Sequence, residues 1–199
     1  MKDSRQTGRI REIAAGLFAA KGYNGVGVAE IGAATGLGRG ALYHHIGSKE
    51  DLLYDIASRY IAELVESGRA IAANYPDPVE RIHRLSRHLM RIVGQHLAEM
   101  TVCFREVGAL TGEHYRTVSK LHSDYQQIWE DAIVAGAASG DFRPVDRIAV
   151  KGLLGMFFYS FLWLKPGGDH APEEIGDIFS DLVIRSLAAD QSRPRGPLQ

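Results

Sequence analysis

Side chains suited to binding nucleic acid lie close together near the N-terminus. Arg39 can donate two hydrogen bonds to O6 and N7 of a guanine in the major groove, so it is the candidate for reading a base. Lys49 begins a predicted helix, where the helix dipole favours a phosphate. Gly40 allows the backbone to approach a ligand closely. The predicted DNA-contacting residues are Thr35, Arg39, Gly40, Tyr43, His44 and Lys49.

The segment that carries these residues has the periodicity of two short helices joined by a tight turn. Val28 and Ile31 share one face of the first helix, and Leu42 and Ile46 share one face of the second. Gly36 lies between them, where a residue without Cβ ends a helix at little steric cost. This is the geometry that places a second helix in the major groove of DNA. Thr35, at the end of the first helix, is expected to contact a phosphate.

Further helices flank this pair. An amphipathic helix is predicted from Arg5 to Lys21, because Ile10, Ile13 and Leu17 recur at helical spacing. After the pair, Ser48 is placed to cap the next helix, with an acidic residue three positions on. Residues 1–50 therefore form a predicted three-helix domain that runs directly into a fourth helix.

Short motifs follow one another through the first quarter of the chain: Ile13-Ala14-Ala15, Leu17-Phe18, Lys21-Gly22-Tyr23, Val28-Ala29-Glu30-Ile31, Gly36-Leu37, Ala41-Leu42-Tyr43-His44-His45 and Ser48-Lys49-Glu50-Asp51-Leu52. In this order they resemble the TetR family of bacterial transcriptional regulators. The resemblance implies an all-α protein of about nine helices, with an N-terminal helix-turn-helix domain and a C-terminal domain for ligand binding and dimerisation. It also implies that Tyr43 and His44 touch phosphates or thymine methyl groups.

Glycines replace side chains that are common in this family. Gly27 and Gly38 stand where Ser or Thr usually caps the second and third helices, and Gly32 stands inside a helix where Ala is usual. Glycine costs only a few tenths of a kcal/mol at a cap, but about 1 kcal/mol inside a helix. Ile46 replaces a common Phe. These departures predict a less stable DNA-binding domain of the same fold.

The distribution of charge agrees with binding to DNA. The chain has 199 residues and a net charge of −1, but residues 1–50 carry +3 and the remainder −4. Such an asymmetry is expected when one domain meets phosphates and the other does not. No stretch approaches the roughly 20 apolar residues of a membrane span, so no membrane partner is expected and the cytoplasm is the predicted location.

The sequence carries no motif of a known catalytic site. It has no HExxH, phosphate loop, nucleophile elbow or dinucleotide fingerprint, and its histidines are scattered. Cys103 has no cysteine partner for a disulfide within the chain or for a zinc site, so it is expected to pack as a small hydrophobe, an intermolecular disulfide being the alternative. We expect no enzyme activity, no cofactor and no metal.

From Glu50 onward the chain reads as a larger helical domain, residues 51–190, followed by a disordered tail, residues 191–199. Proline, glycine and capping residues mark the predicted helix boundaries, for example at Asp77 and Pro78. The predicted helices run from Glu50 to Asn74, Pro78 to Leu97, Ala98 to Leu110, Glu113 to Ser139, Pro144 to Leu164 and Pro172 to Ala189.

The last two of these helices are predicted to form a homodimer. The segment from Val150 to Leu164 is apolar nearly all round, and the final helix has an apolar face too wide for one subunit to cover. Two helices from each subunit would form a four-helix bundle, and twofold symmetry would require a palindromic operator. The predicted interface residues are Gly152, Gly155, Ile175, Phe179, Leu182 and Val183.

The C-terminal domain is expected to bind a small hydrophobic effector in an apolar pocket with a few polar anchors. The predicted pocket residues are Met90, Met100, Phe104, Tyr125, Trp129, Phe157, Phe158 and Phe161, with Arg105, His88, His122 and Gln126 nearby. An aromatic stripe at helical spacing is also what a plain core would show. The pocket therefore rests mainly on the family resemblance.

The C-terminal half contains Tyr125, Trp129, Gly140-Asp141-Phe142-Arg143, Leu153-Leu154-Gly155-Met156, Trp163, Pro166-Gly167-Gly168 and Glu173-Glu174-Ile175. In this order it resembles a TetR branch that often governs fatty-acid or steroid degradation and binds acyl-CoA. The resemblance implies that an acyl tail enters the core while arginines bind the CoA phosphates. The candidate arginines are Arg81, Arg84, Arg87 and Arg91, and a solvated basic face is the alternative.

The predicted function is a repressor that an effector releases from its operator. The helix from Glu50 to Asn74 joins both domains and is the expected lever. Activation upon ligand binding, DNA binding without any effector and a purely structural helical protein are the alternatives. Salt-dependent binding to duplex DNA separates the structural protein from the regulators.

Overall fold

The computed structural model describes residues 2–189, with side chains from residue 5 onward. The predicted disordered tail therefore lies outside the described residues. Within the described part the chain forms helices and one isolated bridge between Phe142 and Ala188, with no strands. The helices are α1 (Lys2–Lys21), α2 (Val28–Thr35), α3 (Arg39–Ile46), α4 (Lys49–Asn74), α5 (Pro78–Gln95), α6 (Leu97–Glu106), α7 (Gly112–Ser139), α8 (Arg147–Phe158) and α9 (Pro172–Leu187).

The first three helices, here called the head, pack around apolar side chains at the positions that periodicity predicted. Ile10, Phe18, Ile31 and Leu42 are all buried, and they share one core with the start of α4. Gly36 ends α2 in the left-handed conformation with φ of 71°. The predicted helix-turn-helix is thus formed by local sequence signals together with a small shared core.

Helices α4 to α9, here called the body, begin at side-chain caps in several cases. Ser48 Oγ accepts from the Asp51 amide at 3.0 Å, and an Asp77 carboxylate oxygen accepts from the Glu80 amide at 2.7 Å. Both caps were predicted. Glu80 does not complete a reciprocal box, however, because its carboxylate pairs with Arg84.

Two close helix pairs build the body: α4 lies against α7, and α9 lies against α5. Gly176 of α9 allows the second approach. A Cβ at this position would stand 2.7 Å from Arg87 Cα and 2.9 Å from the Ser86 carbonyl oxygen. Gly68 of α4 similarly faces Ile128 and Tyr125 of α7.

The helix predicted from Pro144 to Leu164 is shorter and is followed by a 3-10 turn. It starts later because Asp146 caps it, accepting from the Ile148 amide at 2.7 Å. It gives way to the turn at Tyr159–Leu162, where Ser160 Oγ donates to the Phe157 carbonyl at 2.6 Å. Likewise, α6 ends at Glu106 and a 3-10 turn, Val107–Ala109, follows.

Within the described residues, the helices include none with the length and apolar character needed to cross a membrane.

Candidate nucleic-acid interface and interior groove

One face of α3 presents a ridge of side chains to solvent. Arg39, Gly40 and His44 are exposed, and Tyr43 is half-buried. The Arg39 guanidinium lies 5.7 Å from the centre of the Tyr43 ring, which holds it beside the ring one turn away. This ridge contains four of the six predicted DNA-contacting residues and leaves the Arg39 donors free to face a ligand.

Thr35 does not suit its predicted contact with phosphate. Its side chain is buried, and its hydroxyl donates to the Ile31 carbonyl at 2.8 Å and also approaches the Gly32 carbonyl. Threonine commonly forms this bond to the preceding turn of its own helix. The hydroxyl is therefore occupied inside the head.

Lys49 also differs from its predicted role as a phosphate clamp. Its ammonium donates to the Tyr23 carbonyl at 2.6 Å and lies 4.1 Å from the centre of the Tyr23 ring. Burial lowers the pKa of this lysine, and the carboxylate of Glu106 partly opposes the shift. Lys49 therefore joins the start of α4 to the turn between α1 and α2, a contact that residue type alone did not indicate.

The start of α4 is also tied to the start of α7. Glu50 accepts from the Thr111 amide at 2.8 Å and from its hydroxyl at 2.9 Å, and these hydrogen bonds lower the pKa of the Glu50 carboxyl. His114 stacks on Tyr54 with a centroid separation of 4.3 Å. These contacts join α4 to α7 within the body, next to the Lys49 contact that joins α4 to the head.

Most predicted pocket residues form a packed core. Met90, Met100, Trp129 and Phe157 are fully buried, and Tyr125 is 1% exposed. These residues recur at helical spacing because they pack in the core. A plain core was the alternative to a pocket that the sequence left open. Phe161 is half-buried and stacks on Phe104 at the surface, 5.3 Å between ring centres.

An open groove of about 320 Å³ lies beside this core, between α6, α7 and α8. Phe104 and Phe158 line it, and so do the predicted anchors His122 and Gln126. The other lining residues are Ser119, Ser123, Lys151, Leu154, Gly155 and Tyr159. The sequence did not predict these residues as pocket residues, because the groove depends on which faces of three helices meet.

The groove is neutral at its inner wall. Burial lowers the pKa of His122 to about 4, so the ring is uncharged at neutral pH. Its Nε2 atom lies 3.4 Å from Tyr60 Oη and 3.5 Å from Cys103 Sγ. Cys103 is buried, and burial raises its pKa to about 11, which keeps the thiol protonated and agrees with the expected packing role. Lys151, at the exposed rim, is the charged residue among those that line the groove.

The four arginines of α5 already have partners in this chain. Arg81 donates to the Tyr75 carbonyl at 2.9 Å, and Arg84 pairs with Glu80. Arg87 pairs with Asp177 of α9, and Arg91 donates to Gln95 at 2.9 Å. Arg105, a further predicted anchor, approaches the Ala19 carbonyl of α1 instead. Arg84 and Arg91 thus pair within α5, Arg87 and Arg105 join two helices, and none of these arginines is among the residues that line the groove.

The predicted dimer residues divide between the interior and the surface. Ile175 and Val183 are buried within the chain, because Gly176 places their side of α9 directly on α5. This corrects their assignment to a subunit interface. Phe179 is half-buried against Phe157.

An exposed apolar surface remains on α8, α9 and the 3-10 turn after α8. Gly152 and Gly155 are exposed there, and no atom stands within 4 Å of a Cβ built on either. Leu182 is 53% exposed. The other large exposed apolar residues of these elements are Ile148, Tyr159, Leu162, Trp163 and Ile178. We call this set the α8–α9 surface.

A helix-turn-helix head with an exposed second helix, joined to a helical body, defines a DNA-binding regulator. Comparison with known families agrees. The bacterial regulatory proteins of the tetR family match residues 10–56, and the tetracyclin repressor-like C-terminal domain matches residues 75–187. The chain belongs to the TetR family of bacterial transcriptional regulators.

Similar proteins extend over nearly the whole chain. RaaS of Mycobacterium tuberculosis (strain ATCC 25618 / H37Rv), an HTH-type transcriptional regulatory protein, is 39% identical over 182 residues, covering 90% of this chain and 82% of RaaS. The repressor KstR2 of Rhodococcus jostii (strain RHA1) is 27% identical, covering 94% and 93%. The crystal structure of AibR with isovaleryl coenzyme A and operator DNA superposes with a TM-score of 0.78, at 29% identity, covering 92% of this chain and 98% of AibR.

Proposed function

We propose that this protein is a cytoplasmic repressor that binds a palindromic operator as a homodimer and is released by a small hydrophobic effector. The observation that carries the proposal is the exposed ridge of Arg39, Tyr43 and His44 on the second helix of a helix-turn-helix. Residues 1–50 would form the DNA-binding domain and residues 51–190 the effector and dimer domain. The similar repressor KstR2 supports repression.

The α8–α9 surface supports the proposed dimer. Large apolar side chains such as Leu182 and Ile178 are exposed there, beside glycines that leave room for a neighbouring helix. Large contiguous apolar patches on soluble chains mark interaction sites. A second copy meeting this surface through a twofold axis would place two α3 helices on successive major grooves, about 34 Å apart.

The groove between α6, α7 and α8 supports an effector with an apolar body and an anionic head. Its inner wall contains Phe158 and the neutral ring of His122, whereas Phe104 and Lys151 are exposed at its rim. AibR has been crystallised with isovaleryl coenzyme A and operator DNA. We therefore favour an acyl-CoA thioester, with Lys151 rather than the engaged α5 arginines nearest to its phosphates.

Release would follow from the position of this groove. Its wall includes α6, which packs on α1 of the head, and Gly155 and Tyr159 of the α8–α9 surface. A ligand shifts the equilibrium between two arrangements only by its difference in affinity for them. An effector that separates α6 from α8 would favour a dimer whose α3 helices no longer match the operator.

Selection of binding sequences from random duplex DNA, with and without a panel of acyl-CoA thioesters, tests this proposal. We expect a palindrome to be enriched and one thioester to abolish the enrichment. A palindrome that no thioester affects would contradict the effector class and favour a regulator without it. Failure to enrich any sequence at moderate salt would contradict DNA binding itself.

The dimer is tested separately with Leu182→Glu, which places a charge on the α8–α9 surface. We expect the variant to elute with the mass of one chain and to lose operator affinity. Val134→Glu is the matched control, because Val134 of α7 is 67% exposed outside that surface. If Leu182→Glu stays dimeric, another surface pairs the subunits.

A further inference from the structure

Two polar groups beneath the groove have no hydrogen-bond partner among the described residues. Tyr125 Oη and Trp129 Nε1 are buried in α7, and neither forms a hydrogen bond of normal geometry. They are one helical turn apart. The indole N–H can only donate, whereas the phenol can donate and accept. The Trp129 N–H approaches the Tyr125 oxygen without a hydrogen bond of normal geometry, and the phenol O–H has no acceptor among the described residues. Such groups are uncommon in packed interiors and need an explanation.

Phe158 connects these donors to the groove. It lines the groove and packs edge-on against the rings of His122 and Tyr125, each at a centroid distance of 6.2 Å. Tyr125 itself does not line the groove. Phe158 therefore lies between the groove and the Tyr125 ring, and a change in its rotamer would open the groove toward that ring.

The groups around Tyr125 and Trp129 indicate which kind of hydrogen-bond acceptor could pair with these two donors. Burial raises the pKa of the Tyr125 phenol, and the nearby Trp129 indole only partly opposes this, so the hydroxyl stays protonated and able to donate. The neighbouring side chains, Ile128 and Phe158 among them, are apolar. The lysine that lines the groove, Lys151, stands at its exposed rim. A buried carboxylate would lack a cation here, whereas a neutral carbonyl oxygen needs only donors.

We propose that the effector carries a neutral carbonyl oxygen at its buried end, and that Tyr125 and Trp129 are the donors that recognise it. This inference rests on the proposed effector role of the groove. The donors would be unsatisfied in the empty protein and satisfied in the complex. Effectors with a ketone deep in the apolar part would thus be distinguished from plain hydrocarbon chains.

The first test needs no ligand. Tyr125→Phe removes only the hydroxyl, so we expect the ligand-free variant to melt about 2–4 °C above the wild type, since a buried group without a partner destabilises the fold. Tyr115→Phe, at an exposed tyrosine of α7 that does not line the groove, is the control and should not change the Tm. A lower Tm for Tyr125→Phe would overturn the proposal, because the hydroxyl would then be satisfied in the empty protein.

The second test compares octanoyl-CoA with 7-oxooctanoyl-CoA by calorimetry. We expect the ketone to bind the wild type and Tyr115→Phe about tenfold more tightly, and Tyr125→Phe less than twofold more tightly, while the affinity for octanoyl-CoA stays constant. An equal ratio in the wild type and Tyr125→Phe would overturn the proposal. If neither thioester binds, the proposed acyl-CoA class fails, and the Tm of Tyr125→Phe still decides the role of the donors.

Discussion

The helices of the head and those of the body begin in different ways. In the head, α2 and α3 start after Gly27 and Gly38, and neither start has a side-chain cap. In the body, α4, α5 and α8 start at Ser48, Asp77 and Asp146, each of which accepts a backbone N–H. A side-chain cap contributes about 1 kcal/mol relative to alanine.

The difference shows where each region places its polar groups. Three helices of the body use a side chain to satisfy an amide at their start, whereas α6 and α7 have no side-chain cap. The body also packs α9 closely on α5 through Gly176. The head leaves the amides at the start of α3 without a side-chain partner, beside the exposed Arg39. Free amides at a helix start suit a phosphate. The head therefore gives up local stability where its ligand is expected.

The largest expected effect comes from the close packing of the body. Gly176→Val would push a branched side chain into the backbone of α5 at Arg87 and Ser86, so we expect the free energy of unfolding to fall by about 3 kcal/mol or more. Urea unfolding followed by circular dichroism measures it. Gly16→Ala in the head is the matched control, because no atom stands within 4 Å of its Cβ.

The control should gain about 0.5–1 kcal/mol, since alanine favours a helix over glycine. Comparable losses at Gly176 and Gly16 would show that the close approach of α9 to α5 is not the cause of the loss at Gly176.

The buried histidine of the body gives the next effect. His122 has a pKa of about 4 in the fold against 6.5 when unfolded, so between these values only the unfolded chain binds the proton. Stability is therefore complete above pH 6.5 and declines as the pH falls toward 4, by about 2 kcal/mol after allowing for partial exposure. His122→Gln should flatten this slope in urea unfolding between pH 7 and pH 4.

Other histidines also contribute to the change in stability with pH. The pKa of His88 is also lowered, mainly by burial, so it adds to the loss at low pH. The hydrogen bond to Glu99 raises the pKa of His96, so its contribution is present below pH 6.5 and is lost as the pH rises above that value. A flat slope in the wild type would show that His122 is not held neutral.

Sequence reasoning predicted the head's backbone well and two of its side chains poorly. Helix periods and the glycine turn depend on neighbouring residues, so α2 and α3 fall where they were expected. The side-chain contacts of Thr35 and Lys49 depend instead on which hydrogen-bond acceptors the fold brings close to them. Thr35 bonds to its own preceding turn, and Lys49 reaches Tyr23, 26 residues earlier in the chain. Residue type and position in a helix do not predict which of these hydrogen-bond acceptors a side chain will contact.

In the body, the sequence predicted the helices but not which faces meet. The sequence indicated that the apolar face of α9 is too wide for one subunit to cover. Its periodicity, however, does not show whether Val183 or Leu182 points into the core of its own chain, and in the structure Val183 does. Gly176 decides this by fitting α9 onto α5, a contact between helices some 90 residues apart in sequence. The groove was not predicted either, because it is formed by surfaces that α6, α7 and α8 leave uncovered, and these depend on how the helices pack.

A smaller effect tests the exposed ridge of the head. Arg39→Ala should cost about 1–3 kcal/mol of discrimination at one base pair in each half-site, measured by competition between a selected operator and its single-base variants. Lys49→Ala should instead lower the thermal stability of the head and weaken all duplexes alike, because Lys49 contacts Tyr23. If Arg39→Ala keeps the base preference of the wild type, another residue reads that base.

The smallest effect tests the vacant cap itself. Gly38 has extended backbone angles, φ of −66° and ψ of 157°, and open space around a Cβ, so any residue fits there without strain. We expect Gly38→Ser to gain a few tenths of a kcal/mol, whereas Gly38→Ala should fall about 1 kcal/mol below the serine variant. Hydrogen exchange of the α3 amides measures this locally. Because the serine oxygen would occupy an amide that otherwise faces the phosphate, operator affinity should fall as stability rises. If serine raised both, the free amides of α3 would not serve DNA binding, and the absence of caps in the head would be a simple loss of stability.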